Sequence, residues 1–168
     1  MWVFGEEYIP KEKGICVMTV QFEYVMDIQV TVGKPLEVGR TPQGRRRIIP
    51  ITGGTFEGPR LKGIVLPGGA DWQVIDANYH TQLEARYSLQ TDDGIVIAVI
   101  NRGVRRGPKE VMQRLIQGEE VSPAEYYFRT APFFEVESEK YAWLNHYLFV
   151  ATCERHPTAV RITVFQLL

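Results

Sequence analysis

Apolar and polar residues alternate with period two along most of this chain, in short runs cut by turn signals, and that pattern leaves few folds open. In residues 83–89, Leu83, Ala85, Tyr87 and Leu89 share one face, while Glu84, Arg86 and Ser88 share the other. The segment Thr91-Asp92-Asp93-Gly94 separates this run from a second at 95–101, and Asp-Gly between two alternating runs signals a hairpin. Further strands are predicted at 15–32 (one or two), 45–50, 60–66, 73–75, 126–135, 147–152 and 160–168, the last pair joined through His156-Pro157. One helix is predicted between Pro108 and Gly118, with Val111, Met112, Leu115 and Ile116 on one face; a second helical turn is expected at 139–145. About nine antiparallel strands must close or sandwich to hide their edges, and closure at roughly eight leaves room for one small ligand. The expected fold is all-β: a closed or nearly closed antiparallel β-barrel, with one or two short helices covering an end or a side. Residues 15–168 read as a single domain preceded by an N-terminal extension, 1–14.

Composition narrows the partners. The 19 Lys and Arg residues nearly cancel the 20 Asp and Glu, so no overall field would hold the protein on nucleic acid or an anionic membrane. No apolar run approaches the ~20 residues needed to cross a bilayer as a helix, and no basic-then-apolar start marks a secretory signal, so the cytoplasm is expected. Cys16 and Cys153, each among apolar neighbours, read as buried free thiols of a reducing compartment. The cluster Arg45-Arg46-Arg47 runs straight into Ile48-Ile49-Pro50 and reads as strand entry, either a solvated edge or a phosphate contact.

Candidate chemistry begins with residues 50–72, where six glycines, three prolines, Glu57, Asp71 and Trp72 surround one short apolar run. Such glycine density points to sharp turns or close backbone approach, and a carboxylate beside a large aromatic suits a pocket floor. Glu57 and Asp71 are the acid–base candidates, because desolvation of Asp71 against Trp72 would raise its pKa toward neutrality. Both carboxylates alternatively serve backbone hydrogen bonds in turns. Arg86, Asn101, Arg102, Tyr127 and Arg129 would gather donors at a barrel mouth, suited to a carboxylate, enolate or phenolate. The alternative for the arginines is rim ion pairs with Glu57, Asp71, Glu84 and Glu125. Trp72 and Tyr127 are taken as pocket walls, while Tyr126, Phe128, Phe133, Phe134, Tyr141, Trp143 and Tyr147 fill a core or a contact between copies.

Other chemistries lack their residues. His80, His146 and His156 have no partner at metal-ligand spacing, and no phosphate loop, nucleophile elbow or dinucleotide fingerprint is present, so neither metal nor cofactor is expected. Alternation separates Cys153 from His156, which argues against a thiol nucleophile. Residues 103–107, Gly-Val-Arg-Arg-Gly, read as a basic turn before the helix.

The run Arg46-Arg-Ile-Ile-Pro-Ile-Thr-Gly-Gly-Thr-Phe-Glu-Gly-Pro59 with Leu66-Pro-Gly-Gly-Ala-Asp-Trp72 resembles a widespread microbial and fungal family known only as a domain of unknown function. Glu84-Ala-Arg-Tyr87, Thr91-Asp-Asp-Gly94, Asn101-Arg-Gly103, Tyr126-Tyr-Phe-Arg-Thr130 and Tyr141-Ala-Trp-Leu-Asn145 extend the resemblance over about residues 20–168. It implies a compact antiparallel barrel associating as a homo-oligomer, a dimer or tetramer, and it carries no catalytic residue to transfer. By fold analogy such barrels resemble the calycins, which hold apolar ligands, or the allene oxide cyclase and dirigent barrels, which shape reactive intermediates.

Three functions remain open. The first is a cofactor-independent isomerase, cyclase or lyase acting on a small organic acid or phenolic metabolite, with Glu57 or Asp71 moving the proton and Arg86, Arg102 and Arg129 holding negative charge. The second is a carrier of an apolar or aromatic metabolite, and the third a structural homo-oligomer.

Overall fold

The computed structural model describes residues 19–168. Ten strands run in chain order: β1 (Phe22–Val32), β2 (Leu36–Thr41), β3 (Gly44–Glu57), β4 (Lys62–Val65), β5 (Ala70–Ile75), β6 (Thr81–Thr91), β7 (Val96–Arg106), β8 (Tyr127–Glu135), β9 (Phe149–Arg155) and β10 (Ala159–Leu167). Helix α1 (Lys109–Gln117) follows β7, and short 3-10 turns occupy Pro123–Glu125 and Ala142–Asn145. All pairings are antiparallel. The ladder runs β1, β10, β9, β8, β7, β6, and β6 then pairs with β5 along its first half and β4 along its second. Both short strands pair with β3, which pairs back to β1 and closes the barrel. Since β4 and β5 share one place end to end and β2 forms only a flanking hairpin with β3, eight strand positions surround the interior.

The glycine pair in β3 explains how closure is reached. Up to Pro50, β3 lies against β5, and from Thr55 it lies against β4; on its other edge the partner changes from β2 to β1. Gly53 and Gly54, at φ 146° and 138°, absorb the bend at that exchange. A Cβ at Gly54 would overlap the carbonyl oxygen of Gln29 on β1, so no other residue fits this crossing. The glycine-rich segment is first of all a barrel corner. The turn expected at Gly53-Gly54 is instead a bend within β3, which runs through it, and β2 is a strand that the alternation does not predict.

The two ends of the barrel are closed differently. At one end, α1 follows β7, seats Met112 and Leu115 in the core, accepts from Arg47 of β3 at the Ile116 carbonyl and stops at Gly118, whose φ is 87°. At the far end, the interior is filled by Phe56, Leu89, Ile97, Phe134, Tyr141, Leu144 and Phe149, all buried. Phe134 and Phe149 meet edge to face with centroids 5.0 Å apart. Asp93, in the β6–β7 hairpin, ties this plug down by accepting from Lys140 Nζ at 2.7 Å and from the Tyr141 hydroxyl at 3.1 Å. The 1–14 extension and Cys16 lie outside the described residues.

Candidate functional site

Between the aromatic plug and α1 the interior turns polar. Alternation continues along each strand toward the helix, but the inward positions now carry Arg47 on β3, Asp71 and Gln73 on β5, Asn101 and Arg105 on β7, Thr130 on β8 and Arg155 on β9. All of these except Arg47, which reaches it only through its hydrogen bond to Gln73, line one cavity of about 40 Å³ together with aliphatic residues such as Val30, Ile49, Ile51 and Ile162 and with Tyr87, Phe128 and Cys153. That is room for about three waters or a ligand of a few non-hydrogen atoms.

Asp71 stands at the centre of the polar set. Its Oδ2 accepts from Gln73 Nε2 at 2.6 Å, and Gln73 Oε1 in turn accepts from Arg47 Nε at 2.9 Å. Part of Asp71 retains accessible surface, yet Oδ1 is buried without a partner. Desolvation raises the Asp71 pKa above the ordinary carboxylate value; the Gln73 hydrogen bond and then the positive charges of Arg105, Arg47 and Arg155 oppose that rise without cancelling it.

Three guanidinium groups share this interior with a single carboxylate. Arg105 is 1% exposed, and its Nε and Nη2 have no partner; Phe128 lies beneath its Cζ at 5.4 Å. Burial pulls its pKa down to about 10, with Arg47 and Arg155 adding repulsion, so it stays charged at neutral pH. Arg47 also donates through Nη1 to the Ile116 carbonyl at 3.4 Å, a bond that holds the end of α1 over the barrel. Arg155 donates to the Ala159 carbonyl at 3.4 Å, and its backbone N–H is taken by the Tyr126 hydroxyl at 2.8 Å. Burial lowers the pKa of both. Deeper in, Tyr87 and Asn101 each bury an oxygen without a partner. Burial raises the Tyr87 pKa and pushes that of Cys153 up to about 12, so both are neutral at physiological pH. Buried polar groups are ordinarily satisfied, whereas Asp71, Tyr87, Asn101 and Arg105 each leave a polar atom without a partner around this one cavity.

Of the residues singled out from sequence, Asp71 and Asn101 reach this cavity, while the others do not. Glu57 ends β3 as an exposed residue at the plugged end. Arg86 and Arg102 project from the outer face and clasp Glu84, at 2.8 and 2.6 Å. Trp72 is 38% exposed beside them, on the opposite side of β5 from Asp71. Tyr127 and Arg129 stack on one another on the outer face of β8, with the Arg129 Cζ 5.1 Å from the ring. The physical reason is the alternation itself: each of these lies an odd number of positions from a buried neighbour on its strand. Two further readings are corrected. Arg47, inside the supposed solvated cluster, is buried, and residues 103–106 continue β7, which carries Arg105 inward four residues after Asn101. Extending the alternation past Asn101 and Cys153 would have found Arg105 and Arg155.

Among the described residues, no three His, Cys, Asp or Glu side chains gather as a metal-ligand set, and no helix is long and apolar enough to cross a membrane. The molecule is thus an eight-position antiparallel barrel with an arginine-lined interior cavity. The family described as Protein of unknown function (DUF3237) matches residues 20–167, and the chain belongs to it. It is 45% identical over 150 residues to the UPF0311 protein of Rhodopseudomonas palustris strain CGA009, covering 89% of this chain and 98% of that protein. The crystal structure of that conserved protein of unknown function superposes with a TM-score of 0.88 at 45% identity, over 90% of this chain and all of the other (100%). A beta-barrel like protein from Acinetobacter baumannii AYE gives a TM-score of 0.80 at 40% identity, over 96% of this chain and 100% of that one. At 22% identity and a TM-score of 0.69, a protein from Penicillium herquei titled an enzyme shares the fold, over 92% of this chain and 99% of its own.

Proposed function

We propose that the barrel is a cofactor-independent isomerase, cyclase or lyase acting on a small organic acid or phenolic metabolite. Asp71 moves the proton, and Arg105 with Arg47 and Arg155 holds the negative charge that develops on oxygen. What supports this is one desolvated carboxylate in an interior cavity lined by Arg105 and Arg155, with the buried Arg47 joined to it through Gln73. A carboxyl group with a raised pKa is suited to take a proton from carbon next to a carbonyl and return it elsewhere. The enolate or phenolate formed meets fixed donors in a water-poor site, where such charge stabilisation is strongest. Asn101, in the cross-strand row of Asp71, and Tyr87, two residues along β6 from Ala85 of that row, supply neutral polar contacts that orient the substrate.

The test is exchange of carbon-bound hydrogen with deuterated water, followed by NMR over a panel of small keto acids, hydroxy acids and phenols. Exchange with at least one member is expected, and Asp71→Asn should slow it by about 100-fold or more without lowering the melting temperature. Exchange that persists in the Asp71→Asn variant overturns the assignment. A compound retained without any exchange favours a carrier instead.

A further inference from the structure

The free edge of Arg105 says what the cavity takes. Its two unpartnered nitrogens, Nε and Nη2, are the pair whose N–H bonds run parallel along one side of the guanidinium plane. That edge matches the two oxygens of a carboxylate, and the arginine is held 1% exposed, with Phe128 under its plane, so it cannot turn to solvent for a partner. The second set lies beside Asp71: Asn101 Oδ1, which only accepts, and the Tyr87 hydroxyl, close enough for Asn101 to offset part of the burial-driven rise in its pKa, with neither oxygen completing a hydrogen bond. Asn101 shares a cross-strand row with Asp71, the two flanking Ala85 on β6. An occupant that satisfies both sets carries a carboxylate at the helix end and a hydroxyl or enol donor at the row of Asp71 and Asn101.

We propose that the cavity binds a small hydroxy acid, or a keto acid in its enol form, with the carboxylate bidentate on Arg105 and the hydroxyl on Asn101. The inference rests on the catalytic reading for the site and narrows its substrate class to the carboxylates. Size agrees, because a cavity of about 40 Å³ admits only a few non-hydrogen atoms. Charge agrees as well: with Tyr87 and Cys153 neutral, Arg105 and Arg155 face one carboxylate in the lining and the buried Arg47 stands behind Gln73's hydrogen bond, which leaves positive charge for an anion to offset. The aliphatic wall of Val30, Ile49 and Ile51 suits a short apolar group on that side of the ligand.

Isothermal titration calorimetry on the full chain tests this with glycolate, lactate and pyruvate as probes, propionate as the acid lacking a hydroxyl, and phenol as the hydroxyl lacking an acid. Glycolate or lactate should bind at least about tenfold more tightly than propionate, and phenol should show no heat. Arg105→Met should abolish binding, and Arg105→Lys, which cannot present the parallel pair, should weaken it about tenfold or more. Equal binding of lactate and propionate, binding of phenol, or unchanged affinity in Arg105→Lys overturns the proposal, as does absence of heat with every acid. Should Arg105→Met not fold, the Lys variant and the probe series on the native chain still decide. Tight binding of lactate without deuterium exchange would leave this assignment standing while removing the catalytic one.

Discussion

The two ends of this barrel are made from the same strands and are built to opposite rules. At the plugged end the inward side chains of β6, β7, β8 and β9 are hydrocarbon or aromatic except Thr91, whose hydroxyl is fully partnered, and polar ties such as Asp93 with Lys140 lie at the surface. At the helix end the inward positions of those strands become Asn101, Arg105, Thr130 and Arg155, and several of their polar atoms have no partner. Dispersion and apolar burial at the first end supply stability, whereas desolvated charge at the second opposes it. A protein keeps such a region when it serves something other than folding.

That contrast predicts opposite responses to substitution. The largest loss is expected at the corner that lets both ends exist: Gly54→Ala should destabilise by about 3 kcal/mol or more, or prevent folding, because both its φ and its neighbour Gln29 exclude a side chain. Urea unfolding measures it. In the plug, Phe134→Ala removes a 1% exposed ring and should cost about 3–5 kcal/mol with ligand affinity unchanged. A loss below about 1 kcal/mol there would erase the distinction between the two ends.

The cavity should behave in the reverse sense. Asp71→Asn is expected to match or exceed the native melting temperature at neutral pH. The sign follows from the raised pKa of Asp71: the folded state binds its proton more tightly than the unfolded state, so stability falls as pH rises from the ordinary value of 3.8 through the raised one. Any advantage of the Asn variant should therefore vanish below about pH 4, where the acid is protonated in both states. A variant less stable than the native chain at neutral pH would show that Asp71 is a structural partner of the arginines.

The smallest effect belongs to Asp93→Asn. Hydrogen bonds from Lys140, then Thr91, hold the Asp93 pKa down at about 2, so its contribution is complete above the ordinary carboxylate value and lost as pH falls through about 2. The side chain is solvent-exposed, so thermal melts at neutral pH should show only a slight decrease, and high salt should erase it.

Much of this architecture is legible in the amino-acid order. The β6–β7 hairpin at Asp93-Gly94, the helix between Pro108 and Gly118, and the inner face Leu83, Ala85, Tyr87 and Leu89 are all written locally. So is the count of strands that forces a barrel. Asp71 was legible as a desolvated carboxylate, although its expected neighbour Trp72 faces the other way; Gln73 and the interior arginines are its surroundings. Arg86 shows why choosing by residue type misleads: its chemistry suits an anion, but the apolar face of its own strand had already placed it outside.

Alternation is a property of the local backbone, so the chain alone decides which residues of a strand share a face and where the strands turn. Which charges meet is decided across the ladder, by the register that sets β3, β5, β7 and β9 around one interior. Arg47, Arg105 and Arg155 come from distant parts of the chain, and only barrel closure brings them to the same carboxylate, because the free energy of their encounter depends on separation and desolvation that no linear order contains.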